Sequence, residues 1–305
     1  MALRSLDNTL PLSPERPKKA IKVSNLIAKS KPKQPTDLIV NDENKAPLDP
    51  AVAPAVDSVE YIASENLKAI SDPDVKFQNL MEGLESKDWL KICDSLNDVR
   101  RFALHHSTLL IPILDKVVTI LVKSMKNPRS ALCKTSIMAA SDLFKSYGDK
   151  LLDLITSDAV DQMMLQLLLK ASQDKKFVCE EAERTLNTMV VFTTPIPLLN
   201  KLKLYVSHSN MRVRAKAAVS ISQCVSKMEV GDMRDYGLVS LVQMSAELLK
   251  DRLPEAREAA RGIVLLIYKT VMEDKDNEED KWQHFCQLNL SAIDALTMVK
   301  LVASQ

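Results

Sequence analysis

The chain has 305 residues, a formal net charge of +1, five glycines and 4% aromatic residues. That length holds one large domain or two small ones. So little glycine and aromatic content argues against a sandwich, a barrel or a nucleotide-binding α/β fold, and near-neutrality excludes a global pull on nucleic acid while leaving room for a local patch.

Residues 1–70 differ in composition from the rest of the chain. Eight of the fourteen prolines precede residue 55 and hydrophobic periodicity is weak. Such a segment buries too little apolar surface to offset chain entropy and is expected to be disordered. Its first half is basic, with Arg4, Arg16, Lys18, Lys19, Lys22, Lys29, Lys31 and Lys33 against Asp7 and Glu15. It reads either as a solubilising tail or as a polybasic arm for an acidic polymer. Ser13-Pro14 has the form of a proline-directed phosphorylation site.

From Asp74 the pattern turns helical. Phe77, Leu80, Met81 and Leu84 make one apolar stripe, and Leu90, Cys93, Leu96, Val99, Phe102 and Ala103 make its partner. Ser107 and Thr108 are expected to cap a helix running to about Lys126, with Pro112 near its first turn. Asn127-Pro128 reads as an N-cap followed by proline at the first helical position, opening a helix that ends at Gly148. A third pair begins broken, Leu151–Ile155 then Ala159–Ala171, and continues over about Phe177–Val191. The fourth starts at Thr193-Thr194-Pro195, with Leu198, Leu199, Leu202 and Leu204 on its first helix. The fifth spans about Gly231–Met272, with Pro254 at a helix start. After the acidic connector Glu273–Asp280, a pair over about Glu278–Ser304 closes the series.

Between the helices of successive pairs lie Ser86-Lys87-Asp88-Trp89, Lys126-Asn127-Pro128-Arg129, Gln173-Asp174-Lys175-Lys176, Ser207-His208-Ser209-Asn210-Met211-Arg212 and Asp251-Arg252-Leu253-Pro254. Helix pairs recurring at about forty residues without strands indicate a HEAT or armadillo-type α-solenoid over residues 71–305. Ala139-Ala140, Ala217-Ala218 and Ala259-Ala260 permit close stacking. Cys93, Cys133, Cys179 and Cys224 fall in four successive second helices and read as small buried hydrophobes. With Cys286 they form no C-x-x-C or zinc pattern, and five cysteines without a leader-like segment suit a reducing cytosol.

The residues give no support to catalysis. His105, His106, His208 and His284 lie in no metalloprotease or nucleophile motif, and no glycine-rich phosphate loop is present. No cofactor, metal or small-molecule substrate is expected. No apolar run reaches the roughly 20 residues that span a bilayer, so no membrane partner is expected either.

Loops within the pairs of a solenoid emerge on one side. Trp89, Arg129, Lys175, Lys176, Arg212, Arg214 and Arg257 should therefore share one ridge, and a tryptophan among cations is a composition typical of protein interfaces. Asp88 is a good N-cap that would leave Trp89 in a polar loop. The alternative is a generic HEAT scaffold that binds its partner through the helical face.

Lys87-Asp88-Trp89-Leu90 with Leu96 and Arg100, Arg129-Ser130-Ala131-Leu132-Cys133-Lys134, Arg212-Val213-Arg214-Ala215-Lys216-Ala217, and Asp251–Arg257 with Ala260 together resemble a TOG domain of the CLASP and crescerin branch. The resemblance covers about residues 70–300. It implies six HEAT repeats in a flat paddle whose loop edge grips the tubulin heterodimer or the microtubule lattice, in the cytoplasm on the cytoskeleton. It further implies Trp89 as the first-loop anchor, with Arg129, Lys175, Lys176, Arg214 and Arg257 on acidic tubulin surface. Two departures stand out: one such domain where relatives often carry arrays, and Ser209-Asn210-Met211 in the fourth loop.

Overall fold

The computed structural model describes residues 59, 61–273 and 280–304, and those residues are helical and without strands. The proposed tail up to residue 58 lies outside the described residues, as does most of the acidic connector. Six helix pairs succeed one another. They are α1 (Pro73–Leu84) with α2 (Trp89–His105), α4 (Leu114–Met125) with α5 (Ser130–Tyr147), and α7 (Ser157–Lys170) with α8 (Lys176–Phe192). Then come α9 (Pro195–Leu202) with α10 (Met211–Lys227), α12 (Leu238–Leu249) with α13 (Pro254–Met272), and α14 (Lys281–Asn289) with α15 (Ala292–Ala303). Short helices α3 (Ser107–Leu110), α6 (Lys150–Leu154) and α11 (Val230–Tyr236) join one pair to the next.

The second helices form a continuous layer, with α2 on α5, α5 on α8, α8 on α10 and α10 on α13, and each also packs on the first helix of its own pair. The core lies between the layers. Leu96, Phe102, Leu121, Leu143, Phe144, Leu167 and Ile263 are fully buried, and each such side chain contributes about 1.5–3 kcal/mol relative to exposure. Ala139, Ala140, Ala217, Ala218 and Ala260 are also buried, which lets adjacent second helices approach. This is the HEAT-like solenoid read from the repeat.

Several boundaries shift for local reasons. Asn127 does not cap its helix. Its Oδ1 accepts from the Arg129 amide at 2.9 Å, making an Asx turn, and α5 starts two residues later than expected with Arg129 at the N-cap. The first helix of the second pair is broken rather than continuous: Ile111–Ile113 form a 3₁₀ turn around Pro112, which has no N–H to donate. Leu204 leaves its stripe, because α9 ends at Leu202 and Leu204 sits 64% exposed in a 3₁₀ turn. Gly148 ends α5 as expected, at φ +53°.

The boundary expected near residue 70 also moves. Residues 61–67 form a strap with a 3₁₀ turn at Ser64–Asn66, and Leu67 is buried. Ser64 Oγ donates to Asp142 Oδ1 at 2.6 Å, and His105 Nε2 donates to the Leu67 carbonyl at 2.7 Å. A carbonyl only accepts, so that ring nitrogen carries the proton. His105 therefore pins the strap as well as standing at a helix end.

Candidate functional site

The loops within the pairs share a local device. In four of them a short polar side chain accepts from the amide two residues on: Asp88 from Leu90 at 3.0 Å, Asn127 from Arg129 at 2.9 Å, Asn210 from Arg212 at 2.9 Å and Asp251 from Leu253 at 2.9 Å. This turns the chain tightly and supplies an acceptor to amides that the succeeding helix leaves unpaired.

The loops are then tied to one another in sequence. The Arg129 guanidinium lies over the Trp89 ring at 5.5 Å from its centroid, joining the first loop to the second. Lys175 Nζ donates to Ser130 Oγ at 3.0 Å, joining second to third. Arg212 Nη1 donates to Asp174 Oδ1 at 2.8 Å, joining third to fourth. Arg214 Nε donates to Asp251 Oδ2 at 2.6 Å, joining fourth to fifth. Lys250 Nζ donates to Asp294 Oδ2 at 2.8 Å, tying the fifth to the start of α15. Of the seven residues expected on the ridge, Arg129 and Lys175 stand at the ends of these loops, and Trp89, Lys176, Arg212, Arg214 and Arg257 lie in the opening turns of the helices that follow them.

They occupy it in different ways. Trp89 is half-buried and packs against the core, so its indole is neither sealed in nor free-standing. Arg129, Lys175, Lys176 and Arg212 are exposed. The Arg212–Asp174 pair is open to solvent on both sides and so is weak, leaving that guanidinium exchangeable. Lys176 lies 3.8 Å from Glu180 along its own helix.

Arg214 and Arg257 are more committed. Arg214 also donates to the His208 carbonyl at 2.8 Å, and Arg257 Nη1 donates to the carbonyls of Asp251 and Arg252, both at 2.8 Å. Both arginines hold loop backbone in place. Burial alone would raise the Asp251 carboxyl, but the Leu253 amide and the Arg214 guanidinium outweigh it and hold the group below the usual carboxylate range. Asp294 is held low chiefly by its bond from Lys250.

Further exposed cations, Lys87, Lys126 and Arg252, stand on the same loops. Met211, 42% exposed, opens α10 as Trp89 opens α2. The signal for these residues was their equivalent position in the repeat. Among the described residues no group of three His, Cys, Asp or Glu could hold a metal, and no helix is long and apolar enough to cross a membrane.

This architecture has known counterparts. The family model described as CLASP N terminal matches residues 88–280. The TOG array regulator of axonemal microtubules protein 1 of Mus musculus is 27% identical over 218 residues, 69% of this chain and 12% of the relative. The Homo sapiens protein of that name is 30% identical over 138 residues, 45% of this chain and 8% of the relative. The chain thus spans a small part of the curated relatives it matches.

Among solved structures, one from work on microtubule plus end tracking by XMAP215, CLIP-170 and EB1 superposes with a TM-score of 0.56 at 16% identity, covering 78% of this chain and 94% of that one. The MAST/Orbit N-terminal domain gives 0.52 at 17% identity, covering 74% and 95%. Crescerin, described as using a TOG domain array to regulate microtubules in the primary cilium, gives 0.52 at 14% identity, covering 75% and 91%. These structural likenesses concern the fold. With the family match extending from the first loop through the fifth helix pair, the chain belongs to the CLASP N-terminal family.

Proposed function

We propose that this domain is a non-enzymatic tubulin-binding module that engages the tubulin heterodimer or the microtubule lattice through its loop edge, and so takes part in microtubule organisation at the cytoskeleton. One observation carries the reading: consecutive loops are bonded to one another, so an indole and a set of exposed cations are presented together. A large half-buried aromatic among cations is the composition of an interface anchor, and its natural complement is an acidic protein surface. The names of the relatives, which concern microtubules and tubulin, support the same partner.

In this reading Trp89 is the anchor. Arg129, Lys175, Lys176 and Arg212 make contacts, while Arg214 and Arg257 act as positioning residues that hold the loops in register. The basic segment before residue 59 would add a second point of attachment to the polymer, raising avidity through effective concentration.

Co-sedimentation with microtubules and solution binding to tubulin dimers test the proposal. Trp89→Ala should weaken binding by roughly thirty-fold, the scale of a lost hot spot. Far-UV circular dichroism should be unchanged, and affinity should fall steadily with salt. Unaltered binding by Trp89→Ala would remove the loop edge from the interaction.

A further inference from the structure

A second polar site lies beneath the strap. The strap 61–67 and helices α2, α5 and α8 border an open-sided cavity of about 440 Å³, lined by Tyr61, Ser64, Arg100, Lys134, Lys145 and Arg184 among others. Arg100 is the unusual member. It is 1% exposed. Its Nε donates to Asp142 Oδ2 at 2.7 Å and its Nη1 to Asn97 Oδ1 at 3.1 Å, while the buried Nη2 has no acceptor. A buried guanidinium N–H without a partner bears its full desolvation cost, so the site favours whatever brings an acceptor to it.

The surrounding donors converge from different elements. Lys145 Nζ reaches Ser64 Oγ at 3.1 Å and Asp142 Oδ1 at 3.3 Å. Lys134 Nζ stands 4.5 Å from the Tyr61 ring centroid and 3.8 Å from Glu181, and Arg184 lies 2.8 Å from the same carboxylate. Glu65 and Glu181 also line the cavity, and Asp142 lies directly against Arg100. Four cations thus face three carboxylates. The acids orient the cations and leave an excess of positive charge.

A planar carboxylate presents acceptors in one plane. A tetrahedral phosphoryl group presents them on several sides, which suits donors arriving from the strap and from separate helices, and guanidinium groups are well matched to it. The cavity also has volume beyond a bare phosphate ion. We propose that it is a binding site for a small phosphate monoester, with the phosphoryl group held by Arg100 and Lys145 and the organic part beneath the strap. Occupancy then tightens the strap, because Ser64 and Tyr61 form one wall. The lining residues are distinct from the seven of the ridge, so variants of the two sets test the two readings separately.

The test is thermal unfolding of the full chain with inorganic phosphate, with AMP, and with adenosine or chloride at matched ionic strength. A ligand at one hundred times its Kd should raise Tm by roughly 5–10 °C in a domain of this size. The expected order is AMP above phosphate, with no rise from adenosine or chloride. Lys145→Ala and Arg184→Gln, both at the solvent-facing rim, should lose most of the AMP-dependent rise. AMP should also slow tryptic cleavage after Lys68, beside the strap. No rise beyond that of chloride, or a rise undiminished in Lys145→Ala, overturns the site. Equal rises with phosphate and AMP would assign it to the free ion and overturn the ester.

Discussion

Replacing Arg214 by methionine removes the tie between the fourth and fifth loops while keeping an apolar stem. The change deletes the 2.6 Å bond to Asp251 and the 2.8 Å bond to the His208 carbonyl. It leaves Asp251, whose side chain is 4% exposed, with the backbone amides of Leu253 and Arg252 and without the Arg214 cation. A hydrogen bond to a charged group contributes about 1.5–3 kcal/mol, and stranding a fully buried charge costs about 3–5 kcal/mol. Arg214 is 21% exposed, so water can enter when it is lost, and the cost falls below the full-burial range. The expected cost is about 2–3 kcal/mol, or a fall in Tm of about 4–12 °C.

The effect carries a pH signature. The folded-state pKa of Asp251 is depressed, so the stabilisation is fully present above the unfolded carboxylate value of about 3.9 and is lost as pH falls through the folded value. Urea titrations of the wild type and Arg214→Met should therefore diverge most at pH 7 and converge below about pH 4. A cost under about 0.5 kcal/mol at pH 7, or a difference that stays constant to pH 3, would refute the assignment of Arg214 as a brace.

Packing and burial dictate other outcomes. Gly148→Ala places a Cβ 2.6 Å from the Phe192 carbonyl oxygen at φ +53°, and should lower stability by about 2–3 kcal/mol in urea unfolding. Asp142→Asn leaves Arg100 without its anion and should cost about 3–5 kcal/mol by the same assay, with much of the loss recovered when Arg100→Met is added. Burial pushes the Cys224 and Cys286 thiols up to about 12 and Cys93 up to about 11. Thiol-labelling of the native protein at pH 8 should therefore modify Cys179, the partly exposed one, well before the rest.

The helix pairs were legible because each carries its own apolar stripe. Leu96, Val99 and Phe102 announced α2, and Pro254 marked the start of α13. The residue types of the edge were legible through their recurrence. What each cation does there was not: Arg212 and Arg214 are two residues apart, yet one pairs with exposed Asp174 and the other with buried Asp251 on the opposite neighbouring loop. Only the stacking of repeats decides that. The strap was hidden for a related reason. Its order depends on partners 38 and 78 residues away, His105 and Asp142, rather than on any stripe of its own. At Asn127-Pro128 the local signal was real, but the asparagine formed a turn ahead of the helix instead of capping it.

The hydrogen bonds that tie the loops join residues 37 to 45 positions apart and never skip a repeat. Such an edge behaves like a row of linked carriages: each unit is aligned by the one before it and in turn aligns the next. Damage at one coupling should misalign its immediate neighbours and fade with distance, so a partner spanning the whole row would sense a break at the middle more than one at either end.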